Sequence, residues 1–476
     1  MKSALFYIFI ISVLFTACLK DDFTTSPTYN ITFSKDTVCF DTVFSGAASP
    51  IRKVMIYNNN DKSLSLNSVT LKSNGESGFY INLDGEKGTS FSNIDVLRKD
   101  SVHLFIGVNF EETKHTEPRF FNDEIVFSYN GNTQKLILEA YSWNAIRWKG
   151  GKIINNDTTI TNIQPIIIYD SLVIDNNVSL NIMEGTRLFL HDKTNIIVNG
   201  KLSINGNREN PVIISGDRTD NLFEDLPYAE TSAQWGDIIF RPGSYDNVFR
   251  HSIIKGMTNG IVLDSCDISK KKLTIDNCNI RNSKNALINS TSSWIEAYNS
   301  IFANSGAPLI GLTGGKARFT HCTIANFYKL GTVYSPAVAI SNYSLDSLMN
   351  KVEQPLIMAD FLNSIIWGSR STEISFSEIN NNTDFNAENY NFKFDHCVIK
   401  ARGSDDNEFI NTVWNEDPKF LQTGDKYKYD FHIDSLSSAR NGGEPVYAIE
   451  FPTDYDGNIR PAGNADIGAL QFKSQQ

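Results

Sequence analysis

Several side chains in this chain have the types and spacing that chemistry uses. Cys278, Cys322 and Cys397 each follow an Asn or a His, and His251, His321 and His396 recur with similar neighbours. Thiolates and imidazoles are the ordinary ligands of zinc, and paired thiols form disulfides. Asp454-x-Asp456-Gly457-Asn458 opens like a calcium loop, because clustered carboxylate and amide oxygens suit a hard cation. Glu373, Glu378 and Asp384 are acids of the kind that glycoside hydrolysis uses in pairs. Trp235 and Trp367 carry rings that can stack on sugars.

What would position these groups is an internal repeat. His251-Ser252-Ile253-Ile254, Asn277-Cys278-Asn279-Ile280, Asn299-Ser300-Ile301-Phe302, His321-Cys322-Thr323-Ile324, Asn363-Ser364-Ile365-Ile366 and His396-Cys397-Val398-Ile399 share one pattern. Their starts lie 26, 22, 22, 42 and 33 residues apart, so the last two intervals carry insertions. Asn282, Asn304 and Asn326, with Gly256 and Gly368 in the corresponding place, sit two residues past the apolar position. Asn and Gly accept a left-handed turn, so this column is expected at a corner of a coil.

The register decides most of the chemistry. The three cysteines fall on the second, fourth and sixth segments. Stacked strands are ~4.8 Å apart, which puts these thiols about 9–10 Å from one another. A disulfide needs Cα atoms within roughly 7 Å, so none is expected, and zinc fails for the histidines by the same arithmetic. The cysteines read as a column of small side chains with Ser252, Ser300 and Ser364, and the His/Asn column as a hydrogen-bonding ladder. Cys39 and Cys266 lie outside the column and are expected as free thiols. An EF-hand needs Gly and Glu where this chain has Ile459 and Ala465; a closing Asx turn is the favoured reading there, with calcium left open. Trp235 and Trp367 read as packing residues or lid contacts ahead of ligand platforms. No spacing singles out a pair of acids, so no catalytic residue is assigned, and neither a cofactor nor a metal is implied.

The composition sets wider bounds. With 476 residues and 41% hydrophobic, the chain can hold two or three domains with cores. Its formal charge is −11 without any basic run, which argues against nucleic acid as a partner. Its 31 Phe and 18 Tyr are too many for a solvated coil. Six cysteines are too few for a disulfide scaffold.

At the N-terminus, Lys2 precedes an apolar run from Ala4 to Phe15. That run is short of the roughly 20 residues needed to span a bilayer but fits a signal peptide. Phe15-Thr16-Ala17-Cys18 resembles a bacterial lipobox; the resemblance implies cleavage after residue 17 and lipidation of Cys18, whose acyl chains would anchor the protein in outer-membrane lipid. Lys20-Asp21-Asp22 resembles the surface-export signal of Bacteroidota lipoproteins, which implies exposure at the cell surface. Residues 18–31 read as a flexible tether.

From 32 to 143 the pattern has period two, as in Val102, Leu104, Ile106 and Val108. Residues 124–129 and 133–141 flank Asn130-Gly131-Asn132, a strong hairpin signal. Short strands without helical periodicity predict an immunoglobulin-like β-sandwich here, acting as a spacer or docking module. From 144 to 476 the rhythm changes to three short strands per turn, with 171–174, 178–182 and 186–190 recurring as 195–199, 201–205 and 211–215. That is the pattern of a parallel β-helix. The fold class expected is therefore all-β.

Met183-Glu184-Gly185-Thr186 and Ile197-Val198-Asn199-Gly200-Lys201-Leu202 resemble the right-handed parallel β-helix proteins of the pectate-lyase-like superfamily. Ser438-Ala439-Arg440-Asn441-Gly442-Gly443, Asp454-Tyr455-Asp456-Gly457-Asn458-Ile459-Arg460-Pro461 and Asp466-Ile467-Gly468-Ala469 resemble the closing segment that precedes varied surface anchors in such proteins. The likeness covers about 145–472 and carries over no catalytic residue.

Two functions fit. One is a cell-surface lipoprotein that binds glycan or another extracellular partner without catalysis; the other is a polysaccharide lyase or glycoside hydrolase on the same coil. For a binding site, the long links at 344–358 and 379–391 occupy the same junction on consecutive turns and should project side by side. They carry Leu345, Leu348, Met349, Phe385 and Tyr390 beside Asp346, Glu353, Asp384 and Glu388. Covering the apolar flank of the coil is the other role these links fit.

Overall fold

The computed structural model describes residues 22–161, 163–223, 225–379 and 389–473. The chain divides after Asn144 into two compact units. Among the described residues no helix is long and apolar enough to cross a membrane. Cys18 lies outside the described residues.

The first unit has two five-stranded sheets. One orders strands 32–33, 52–58, 100–108, 79–83 and 86–88; the other orders 37–44, 132–143, 119–129, 64–71 and 90–96. Alternate residues of the longer strands point to one shared apolar core, to which Val54, Leu104 and Ile106 come from the first sheet and Leu66, Phe127 and Leu138 from the second. The hairpin expected at Asn130-Gly131 forms, with φ of 48° and 77° at the two turn residues. Positive φ at both positions matches the right-handed twist of the flanking strands, and Asn and Gly tolerate it.

In the second unit the chain visits three sheets in rotation, of eleven, nine and ten strands. Strands 146–148, 152–154 and 158–160 begin the first, second and third sheets, and 166–168, 171–174 and 179–183 lie beside them one turn later. Every pairing within these sheets is parallel, for example Ile166 with Leu188 and Leu172 with Ile196. This arrangement is consistent with a β-helix. Each strand sends alternate residues inward, so one apolar core runs through all the turns. Inside it the rings of Phe319, Phe361, Phe394 and Phe409 stack nearly parallel at 5.0, 4.8 and 4.9 Å. Trp414 packs on the last ring at 4.9 Å.

The six repeat segments align in the expected register on the first sheet. Ile254 pairs with Ile280, Ile280 with Phe302, Phe302 with Ile324, Ile324 with Ile366 and Ile366 with Ile399. The expected corner column turns at three of its five positions, and a second column, at the start of each segment, turns at all six. His251, Asn277, Asn299, His321, Asn363 and His396 all have positive φ, between 42° and 51°. Asn282, Asn304 and Gly256 also turn left-handed, but Asn326 and Gly368 do not. Those two stay in the ladder and pair with each other. The side chain of Asn326 makes the turn instead, its Oδ1 accepting the backbone N–H of Ser305 at 3.2 Å and Tyr328 at 3.3 Å.

Cys278, Cys322 and Cys397 are free and fully buried. They interleave with the serine column: Ser252 Oγ lies 3.1 Å from Cys278 Sγ, and Ser300 and Ser364 Oγ accept the N–H groups of Cys278 and Cys322. Burial pushes all three thiols up to about 12, which leaves them inert as nucleophiles. Cys39 and Cys266 are free thiols as well.

The outer face of the first sheet is itself covered. A hairpin of strands 420–425 and 428–433, followed by the closing segment, lies on it. Phe431, Ala469 and Leu470 cover Ile301 and Ala303, while Ile433, Ala439 and Ile467 cover Ile365 and Val398. Arg460 is buried beneath this cover and donates to Asn299 Oδ1 at 2.9 Å.

Candidate functional site

The outer face of the second sheet offers little chemistry. One column along it reads Val173, Ile197, Ile239, Val262, Asn289, Gly311, Ala339 and Ser375. None of these is an acid or a base.

The first sheet differs where its cover ends. Beyond the rung of Ile301 the next outward residues, Asn279 and Ile253, floor a cleft of about 650 Å³. One wall is the segment between strands 212–216 and 237–240, which contributes Asp225, Pro227 and Glu230. The other wall is the tip of the 420–433 hairpin, with Tyr427, Lys428, Tyr429 and Phe431. Arg281 completes the lining.

The first wall is held by its own contacts. Strand 221–223 pairs antiparallel with 226–227, and a single 3₁₀ turn at Tyr228–Glu230 follows. Arg218 sits 3.5 Å over the ring of Tyr228 and donates twice to Asp220, at 3.0 and 2.8 Å. Trp235, fully buried, ends the segment by donating its Nε1–H to Lys255 O at 2.8 Å. It is a packing residue, and so is Trp367, buried among Ile365, Val398 and Ile433.

Glu230 is the electrostatic centre. Arg281 grips its carboxylate with Nε at 3.1 Å and Nη2 at 3.0 Å, and Lys255 Nζ lies 2.5 Å away. Asn282 Nδ2 adds a contact at 3.2 Å. Burial alone would raise this carboxyl, but Arg281 and Lys255 outweigh it and hold it down to about 2. An acid this strong stays ionised, so Glu230 cannot serve as a proton donor at neutral pH. Carboxyls pushed upward by burial exist at Asp276 and Glu373, and neither lines the cleft. Glu373 is structural: its two oxygens accept the N–H groups of Ala337 at 2.9 Å and Arg370 at 2.8 Å.

The second wall carries backbone strain. Asp425 pairs with Lys428, so Lys426 and Tyr427 are the two turn residues, with φ of 47° and 57°. Such turns favour Asn-Gly, and each ordinary side chain there costs about 1–2 kcal/mol. The strained pair is pinned in place. Lys329 Nζ donates to Gly424 O at 2.7 Å, and Tyr429 Oη donates to Phe327 O at 3.2 Å. Gly424 is required at φ 99°, because a Cβ there would meet the Tyr429 ring at 2.7 Å. Strain kept at a cleft wall presents Tyr427 to the cavity.

The links predicted from sequence lie elsewhere. Residues Tyr343–Leu345 and Lys351–Glu353 form an antiparallel hairpin whose Leu345, Leu348 and Met349 are 50%, 79% and 72% exposed. Asn389 Nδ2 donates to Glu353 Oε1 at 2.9 Å, which brings the two links side by side. Tyr390 is half-buried against Phe392, its Oη 3.4 Å from Ile340 O, and serves packing. Asp384 and Phe385 lie outside the described residues. Glu353, Leu345 and Met349 thus share one projecting element remote from the lining of the cleft.

At the closing segment, Asp454 is buried and accepts three hydrogen bonds. Its oxygens accept Asn458 N at 2.7 Å, Asn458 Nδ2 at 2.9 Å and Gln471 N at 2.8 Å. This is the Asx turn expected from the sequence. Among the described residues no group of three or more His, Cys, Asp or Glu has a metal-binding arrangement.

The residues that line the cleft escaped sequence reasoning because no period marks them. The available signal was Lys426-Tyr427-Lys428-Tyr429, an alternation of cation and aromatic after a glycine.

No protein-family model matches this chain, and no curated protein matches it. Among solved structures it has a likeness to a family 123 glycoside hydrolase from Clostridium perfringens, described for glycolipid glycan hydrolysis. The identity is 7%, over 25% of this chain and 30% of that one, with a TM-score of 0.18. The chain spans under a third of that protein's length, and a superposition this low carries no argument.

Proposed function

We propose that this protein is a lipid-anchored cell-surface protein that binds glycan in the cleft beside Glu230 without turning it over. In this reading Cys18 is acylated and held in the outer membrane. The first unit is an immunoglobulin-like spacer, and the second is a right-handed parallel β-helix of the pectate-lyase-like type. The observation that carries the binding role is the make-up of the cleft: a strained Tyr427 on one wall, with Asn279, Arg281 and Lys428 offering donors around it. An aromatic face with a few convergent polar groups is what sugar recognition uses. The low-lying carboxyl of Glu230 supports binding over hydrolysis, since hydrolysis needs a protonated acid beside a second carboxylate.

A polysaccharide panel tests this. Retention on at least one glycan, lost about tenfold or more in Tyr427→Ala, is the expected result, with no unsaturated or reducing-end product formed. Turnover that vanishes on removing one carboxylate would replace the binding role with an enzyme. Mass spectrometry of the mature N-terminus should find diacylglycerol on Cys18; an unmodified start elsewhere removes the lipid anchor.

A further inference from the structure

Resting on the glycan-binding reading, we propose that the ligand of this cleft is a saccharide carrying an anionic group, a carboxylate or a sulfate, seated on the surplus positive charge beside Glu230. Two cations share one carboxylate there. Arg281 and Lys255 both contact Glu230, and among the described residues no other carboxylate pairs with either. The side chains of both cations are largely withdrawn from water, at 19% and 14% exposure. The cluster therefore keeps a net charge of +1 at a site where water screens it poorly.

The lip adds to this charge. Lys428 lines the cleft, and Asp225, the other acid of the lining, lies 4.0 Å from Lys426 and is balanced by it. The lining itself holds Arg281 and Lys428 against Asp225 and Glu230. With Lys255 and Lys426, which pair with those two acids from outside the lining, and Asp425, the register partner of Lys428, the cleft and its rim have four cations to three anions, in a chain whose formal balance is −11. A cationic hollow in an anionic protein is selective for anions, because the rest of the surface repels them. Arg281 Nη1 donates to Asn279 Oδ1 at 3.1 Å, and both residues line the cleft. Tyr427 supplies the ring against which the pyranose face would lie, and the charged cluster supplies the seat for its substituent.

Three polymers of one backbone provide the test: dextran, carboxymethyl dextran and dextran sulfate, measured by affinity electrophoresis of the full mature chain at about 0.15 M salt, where exposed charges are screened beyond roughly 8 Å. At least one charged form should retain the protein about tenfold more strongly than dextran. Lys255→Met keeps the Arg281–Glu230 pair but removes the surplus charge, and should abolish that preference. Lys428→Gln, at the exposed lip, should weaken it about threefold, and Lys193→Gln, far from the cleft lining, should leave it unchanged. If Lys255→Met melts early, Lys428→Gln against Lys193→Gln decides alone. Equal retention on all three polymers, or a preference that survives in both cleft variants, overturns the anionic ligand while leaving glycan binding in place. Binding to no member of a wider glycan panel overturns the glycan reading itself.

Discussion

Two edges of the first sheet can be compared. Where the third sheet hands over to the first, the connection is one or two residues in each of the six aligned turns, and its first residue is always Asn or His in left-handed conformation. Those side chains are spent on the coil: Asn363 donates to His321 Nε2 at 3.2 Å and to Glu444 O at 3.0 Å, and accepts Glu444 N at 2.8 Å. Where the first sheet hands over to the second, length is free, and 217–236 and 327–337 bulge out. The tight edge sets register, and the loose edge builds a cleft. Chemistry accumulates where the repeat places no demand on length.

Each side of that contrast can be pressed. The largest effect is expected at the tight edge. Asn363→Ala removes three hydrogen bonds, strands buried partners and puts Ala at φ 45°; it should cost the second unit about 3 kcal/mol in chemical denaturation. A loss under about 1 kcal/mol would mean the corner does not define the coil.

At the loose edge Glu230→Gln should cost about 2 kcal/mol, because it leaves Arg281 and Lys255 facing each other. The same pairing predicts a pH dependence. The Glu230 carboxyl is lowered on folding from 4.5 to about 2, so its contribution is full above about pH 4.5 and is lost as pH falls towards 2. The Glu230→Gln variant should show a flatter acid limb than the parent.

His432 offers the opposite sign. Asp456, 2.9 Å from its Nε2, and Asp430, 2.6 Å from its Nδ1, raise the imidazole to about 9 against the effect of burial. Its contribution is full below about pH 6.5 and is lost as pH rises through 9. Since the ring is 31% exposed, the effect should be roughly 1 kcal/mol after screening. His432→Gln melting curves at pH 6 and pH 10 would differ less than those of the parent.

The smallest effect is the most telling. Tyr427→Gly should stabilise the hairpin by about 0.5–1 kcal/mol, because glycine accepts the positive φ, and yet weaken glycan retention. A variant both less stable and unchanged in binding would show that the tip serves packing alone.

How far the sequence reaches follows from the same contrast. The six-segment register was legible because an apolar residue must return to the same inward position on each turn, as Ile280, Phe302 and Ile324 do. Strands 171–174, 179–183, 187–190 and 195–198 lie within a residue of their expected places. Four residues separate the strand Ile288–Thr291 from Ser283, which still belongs to the preceding strand, because Lys284 N and Asn285 N bond back to Met257 and Thr258. That the expected corner column would turn at Gly256, Asn282 and Asn304 but not at Asn326 and Gly368 was not legible, since it depends on Asn326 Oδ1 accepting the N–H groups of Ser305 and Tyr328. The cleft was hidden for a different reason. Glu230 and Arg281 are 51 residues apart, and Tyr427 is far beyond both. Such segments meet only after the coil has wound.

The closing segment has a consequence in time. Ala469 N reaches Thr323 Oγ1 across 146 residues, and Arg460 reaches Asn299 across 161. As the chain emerges N-terminus first, turns can stack on one another as they appear. Ile301, Ile365 and Val398 nevertheless stay open to solvent until the hairpin and the closing segment, which bring Phe431, Ile433, Ala439, Ile467, Ala469 and Leu470, arrive. The closing segment is therefore the latch of the molecule, and a polypeptide lacking Ile467, Ala469 and Leu470 would leave part of an adhesive stripe exposed along turns already wound.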